Sequence, residues 1–389
     1  MSQGPGEHKL AALIGADPAG GPRIVIPIPV AGPPGACDPP VMPRPARRGS
    51  LRFLPLSVAF LAAGAVAASA HPRGITTAAD LVDYLRSICG RHTISGQYVE
   101  CGDLAPVKAI HDQTGKWLGL ISGDYYHYDQ KGGVPVTTFN ASAIGYWQAG
   151  GLVLLNLHMS NPTTGGPVYD VSRLDAAGLL VPGTPTHLAL MKSLAGVAAG
   201  IRELQSAGVV VILRPFHENG GNWFWWGTRF LDRGQMVGLW RFTHDYLART
   251  EGLHNLVWLF ESGQPDIPPT VNYPGDAYAD LVGQDVYTSR PGGDPVVRAY
   301  DTLVATGKPV CMAEFGPKGP SGGDRAFAET TLVDALKARM PQTVFFVNWW
   351  DQNAGHVGWG MASTREVKAA LSDPWIVNRE DIAFERPAP

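Results

Sequence analysis

Two glutamates in this chain end strongly apolar runs. Glu218 follows GVVVILRPFH (208–217), and Glu314 sits in CMAEFG (311–316). A carboxylic acid can protonate a glycosidic oxygen, and a second carboxylate can attack the anomeric carbon or activate water. Four consecutive aromatics, Trp223, Phe224, Trp225 and Trp226, come just after Glu218. Aromatic faces stack on the apolar faces of pyranose rings, so an acid beside such a run suits a sugar-cleaving site. Carboxyl groups ~5–5.5 Å apart support double displacement with retention, whereas ~6.5–9.5 Å leaves room for a water and inversion. Sequence does not measure that gap. A lone strand-end glutamate is as easily half of a salt bridge; the pair, with aromatics beside one member, favours chemistry.

For the two acids to meet, the fold must gather distant strand ends. Strand signals fall at Thr93–Tyr98, Leu118–Tyr126, Gly151–Met159, Val209–Glu218, Asn255–Glu261, Leu281–Tyr287, Pro309–Phe315 and Thr343–Trp350. Most are continuous apolar runs, the pattern of parallel strands covered on both faces. Helical stretches alternate with them: Ile75–Cys89 with Thr76 or Thr77 as cap, Leu104–Thr114, Ala141–Ala149, Leu188–Ser206, Arg233–Thr250, Pro295–Thr306, Asp324–Met340 and Arg365–Leu371. Ser262–Ala279 is Pro-rich and reads as loop. This alternation predicts an α/β fold, a single-domain (β/α)8 TIM barrel over residues 71–389.

In that fold the site lies at the C-terminal strand ends. Glu218 on the fourth strand and Glu314 on the seventh then face each other across the mouth. His217 and Glu218 point to opposite faces of an ideal strand, so both serve the site only if the chain bends there. Arg214 reads as a group under the site that tunes a carboxylate. The four aromatics cannot all face one cleft; Trp223 and Trp226 are expected to meet sugar and the other two to pack. Asp285 reads as a structural acceptor. Glu261, Trp258 and Trp359 suit wall or core equally, and His127 and His356 read as loop residues.

The segment RPFHENGGNWFWWG (214–227) resembles the acid/base signature of glycoside hydrolase family 26, a clan A family of barrel enzymes best known for β-mannanases. CMAEFG (311–316), VGQDVY (282–287), LHMSNP (157–162) and HTISGQY (92–98) are similar to its seventh, sixth, third and first strands, in that order and spacing. The resemblance implies Glu218 as general acid/base and Glu314 as nucleophile. It implies sugar contacts for His158, Asn161 and His217, a hydrogen bond from Tyr287 to the nucleophile, and Trp349 as a floor for the sugar. It also implies a retaining β-glycan hydrolase, most simply an endo-β-1,4-mannanase, with β-1,3-xylan or mixed-linkage glucan as other substrates in the family. Two positions depart from the pattern. Leu157 stands where mannanases often carry Trp, and Glu261 stands where a small polar residue is expected.

The 389 residues carry a net charge of −3 and no basic stripe, which disfavours nucleic acid and anionic membrane surfaces as partners. Residues 1–50 are rich in Pro, Gly and Ala. Arg44, Arg47, Arg48 and Arg52 then precede a hydrophobic run, Leu54–Ala68, and the small residues Ala68-Ser69-Ala70. This reads as a secretory signal, with cleavage after Ala70 and Met42 as the true start; residues 1–41 would be an upstream extension. A disordered region with an uncleaved anchor is the other reading. Export makes the product secreted or periplasmic, and allows a Cys89–Cys101 disulfide. No CxxC or HExxH pattern is present, and the hydrolysis needs no metal or cofactor. The expected partner is a polysaccharide, the expected state a monomer. A non-catalytic glycan-binding barrel is the competing class, though a binder would need only the aromatics.

Overall fold

The computed structural model describes residues 74–383, apart from 127–130, 134, 264–267, 289–298, 320–321 and 352–358. The expectations for residues 1–70, for His127 and for His356 lie outside the described residues. Eight parallel staves close into a barrel. They are β1 (Thr93–Ile94 and Gly96–Tyr98), β2 (Leu120–Asp124), β3 (Leu152–Leu157), β4 (Val211–Pro215), β5 (Leu256–Glu261), β6 (Leu281–Gly283 and Val286–Tyr287), β7 (Val310–Gly316) and β8 (Thr343–Asn348). Each pairs in parallel with its sequence neighbour, as in Leu154 with Ile212 and Ile212 with Val257. β8 closes the ring by pairing with both β7 (Phe346 with Met312) and β1 (Asn348 with Gln97). The strand residues are almost wholly buried, because barrel interior and helices cover the two faces.

The helices are α1 (Ala78–Ile88), α2 (Ala105–Thr114), α3 (Phe139–Gln148), α4 (Pro185–Ser206), α5 (Arg233–Asp245), α6 (Tyr300–Val304), α7 (Glu329–Arg339) and α8 (Val367–Leu371). Thr77 caps α1 in a reciprocal box with Asp80, and Asp232 caps α5 with Gln235. The stretch read as one helix from Arg233 to Thr250 widens into a π turn at Tyr246–Thr250. Three short strands escaped the sequence reading: Ile376–Val377 pairs with β1 outside the ring, and Lys318–Gly319 pairs antiparallel with Gly322–Gly323. The proposed Cys89–Cys101 disulfide does not form. Cys89 is a free thiol whose Sγ lies 3.6 Å from the Gln342 carbonyl. Among the described residues no helix is long and apolar enough to cross a membrane.

Candidate active site

β4 delivers Arg214 and then leaves strand geometry. Phe216 (φ 46°) and Glu218 (φ 52°) both adopt the left-handed region. That conformation costs a non-glycine residue on the order of 1–2 kcal/mol, so neighbours must hold it. The Glu218 N–H donates to Glu261 Oε2 (3.1 Å) on β5. Asn219 Nδ2 donates to the carbonyls of Phe216 (3.1 Å) and Glu261 (3.0 Å). Trp226 Nε1 donates to the His217 carbonyl (2.7 Å). Gly263 (φ 84°) packs so close that a Cβ there would meet Glu218 Cα at 3.0 Å. The strand end therefore bends, as joint service by His217 and Glu218 requires.

Arg214, wholly buried, is the hub beneath the mouth. Nη1 donates to Glu314 Oε1 (2.7 Å) and Asn156 Oδ1 (3.0 Å), and Nη2 donates to Glu261 Oε2 (2.6 Å) and Asp285 Oδ2 (2.5 Å). Tyr287 donates its hydroxyl to Glu314 Oε2 (2.7 Å). Both oxygens of Glu314 thus accept hydrogen bonds, the setting a carboxylate nucleophile needs. One carboxylate oxygen from each of Glu218, Asp285 and Glu314 lies within 4.8 Å of the others.

Glu218 is only half-buried, and Trp223 Nε1 donates to its Oε2 at 2.5 Å. Its carboxyl is pushed up to about 8. Desolvation is the main cause, helped by the charges of Glu314 and Glu261; Arg214 and the Trp223 hydrogen bond oppose it. Two acids in one pocket, one favoured as a proton carrier, are the pairing that glycosidic acid/base chemistry uses.

A second chain of side chains lines the third and fourth strand ends. Asp124 Oδ2 meets His158 Nδ1 (2.5 Å), and His158 Nε2 meets His217 Nε2 (2.9 Å). Burial, then Arg214 and His158, push the His217 imidazolium down, so the ring is neutral. His217 is wholly buried among His158, Phe224 and Trp226, while His158 keeps 2% of its surface exposed. Trp349 packs against Tyr98 with ring centroids 4.2 Å apart and planes inclined by 33°.

Three residues expected to touch sugar, His217, Trp226 and Asn161, have no exposed surface in this structure. Trp226 has no exposed surface; it packs on Phe216, Phe224 and Trp225 and spends its N–H on the His217 carbonyl. Asn161 is equally buried, its amide bonded to the Asp170 and Arg173 carbonyls and its oxygen to the Thr163 and Thr164 N–H groups, so it shapes a loop. Three of the four consecutive aromatics are core, and Trp223 alone presents surface. Asp285 and Glu261 both join the Arg214 hub, and Trp258 packs on Trp240 in the core. Tyr169 was missed. It is 42% exposed, its ring centroid lies 5.1 Å from that of Phe224, and its phenol is pushed up by desolvation and by the charges of Glu218 and Glu314. A lone aromatic in the Gly- and Pro-rich segment 160–178 was the available signal.

A closed parallel barrel with facing glutamates at its C-terminal mouth, one proton-holding and one cradled by cationic and phenolic donors, defines a (β/α)8 glycoside hydrolase. The chain belongs to glycosyl hydrolase family 26, whose sequence profile matches residues 70–381. It is 30% identical over 251 residues to a mannan endo-1,4-beta-mannosidase of Bacillus subtilis, covering 62% of this chain and 66% of that protein. A mannan endo-1,4-beta-mannosidase A and B of Caldalkalibacillus mannanilyticus is 28% identical over 344 residues, covering 83% and 64%. The chain thus spans slightly less than two thirds of the length of these relatives. The solved structure of Bacillus subtilis mannanase BCman superposes with a TM-score of 0.72 at 25% identity, covering 83% of this chain and all of that one.

Proposed function

We propose that the chain is a secreted endo-β-1,4-mannanase working by double displacement with retention. The observation that carries the mechanism is the approach of Glu218 and Glu314 oxygens within 4.8 Å. An approach on that scale suits the ~5–5.5 Å between carboxyls of a retaining pair better than the ~6.5–9.5 Å that leaves room for a water in an inverting one. Mannan as substrate is supported by the names of both curated relatives and of the superposed structure.

Glu314, its carboxylate held by Arg214 and Tyr287, attacks the anomeric carbon. The indole N–H of Trp223 marks Oε2 of Glu218 as the acceptor oxygen, which leaves Oε1 to carry the acid proton. That proton passes to the glycosidic oxygen as the bond breaks and the covalent glycosyl-enzyme forms. Glu218, now a carboxylate, takes a proton from water, which releases the sugar with its original configuration. His158, Trp223, Trp349 and Tyr169 form the sugar-facing wall in this reading, with His217 buttressing His158. The protein acts as a monomer after removal of residues 1–70.

Reducing-sugar release should be tested on mannan, galactomannan, glucomannan, lichenan and β-1,3-xylan. Mannans are expected to lead, with mixed oligosaccharides as early products. Cleavage of lichenan or xylan alone overturns the substrate assignment. Early NMR spectra of the products should show the β anomer first, and an initial α anomer refutes retention.

A further inference from the structure

The tip of β5 carries a glutamate whose carboxylate meets only N–H groups among its described partners. Glu261 is wholly buried. Oε2 accepts from Arg214 Nη2 (2.6 Å) and from the Glu218 backbone N–H (3.1 Å), and Oε1 accepts from the Gly263 N–H. Its own carbonyl accepts from Asn219 Nδ2, one residue past the acid. The backbone it grips is the left-handed Glu218, and Gly263 packs against the same residue.

We propose that Glu261 is a positioning residue for the acid/base: its carboxylate clamps the main chain of Glu218 and so aims that side chain at the leaving-group oxygen. This rests on the hydrolase reading above. The glutamate also acts through its charge, since Glu261 and Glu314 both favour the protonated form of Glu218 while Arg214 and Trp223 oppose it. Asp285, Tyr287 and Tyr169 are the other titratable groups whose fields meet it. A glutamine at 261 keeps the shape, loses the charge and puts an NH2 against N–H donors on whichever side it turns.

The test compares leaving groups. A mannan needs its oxygen protonated; a 2,4-dinitrophenyl β-mannobioside does not. For Glu261→Gln, kcat/KM on mannan is expected to fall by about 10²-fold, the scale of lost general acid catalysis. On the dinitrophenyl substrate it is expected to fall less than about threefold, while kcat drops and azide restores it, because azide needs no base. The alkaline limb of the mannan profile should move to lower pH. Glu261→Asp keeps the charge, and should lose rate on mannan with the limb in place; it carries the test should the glutamine variant fail to fold. Equal losses on both substrates, an unmoved limb in Glu261→Gln, or failure of both variants to fold overturns the clamp. Absence of mannan cleavage by the unsubstituted enzyme instead removes the substrate assignment. The same comparison then uses the dinitrophenyl glycoside of whichever glycan is cleaved.

Discussion

At the scale of single residues, the site separates two acids by what surrounds them. Glu314 is cradled, so its loss should be nearly total: Glu314→Ala is expected to leave less than about one part in a hundred of turnover with glycan binding intact. Larger residual turnover on mannan would remove it as nucleophile. Glu218 keeps its proton up to about pH 8, so activity should fall as pH rises through that value. Trp223→Phe removes a hydrogen bond that favours the ionised acid. Its alkaline limb should therefore move upward, opposite to Glu261→Gln, with a several-fold lower kcat; a downward shift contradicts the role given to the indole.

At the scale of elements, α7 and β8 meet at a buried acid. Glu329, 1% exposed, accepts from Asn348 Nδ2 (3.0 Å) and Thr364 Oγ1 (2.7 Å). Burial pushes its carboxyl up to about 7, against those two hydrogen bonds. A raised value means full stabilisation below the ordinary 4.5 and none of it above about 7. The chain should lose on the order of 3 kcal/mol from this group across that window, by one pK unit per 1.36 kcal/mol. Glu329→Gln should flatten the loss in urea unfolding series; parallel curves for the two proteins would contradict it. The eight staves were legible because parallel strands covered on both faces leave unbroken apolar runs. Their interruptions were not. Ser95 breaks β1 where its N–H turns to the Val377 carbonyl, a contact made by a two-residue strand too short to leave a pattern. Glu218 and Glu314 were readable as acids at apolar strand ends. The burial of Trp226 and Asn161 was not, because it depends on the left-handed bend and on how the loop after β3 folds over it.

At the scale of the whole molecule, the barrel gathers four carboxylates, Glu218, Glu261, Asp285 and Glu314, around a single guanidinium. Asp285 is pushed well up by burial, against the pull of Arg214. Removing the cation should cost stability as well as activity: Arg214→Met is expected to lose about 3–5 kcal/mol in urea unfolding near neutral pH, as for a broken buried ion pair. The loss should shrink in acid, where the stranded carboxyls protonate; an undiminished loss there would argue for packing as its cause. The sequence could name the members of this hub but not their grouping, since β4, β5, β6 and β7 meet only when the ring closes. The main-chain grip on Glu218 also bears on how such barrels can be recombined. The acid belongs to one βα unit and what orients it belongs to the next, so the two are inherited usefully only as a pair. A chimera that exchanges the β4 loop with a relative while leaving the β5 tip behind would transplant the proton donor without its gunsight.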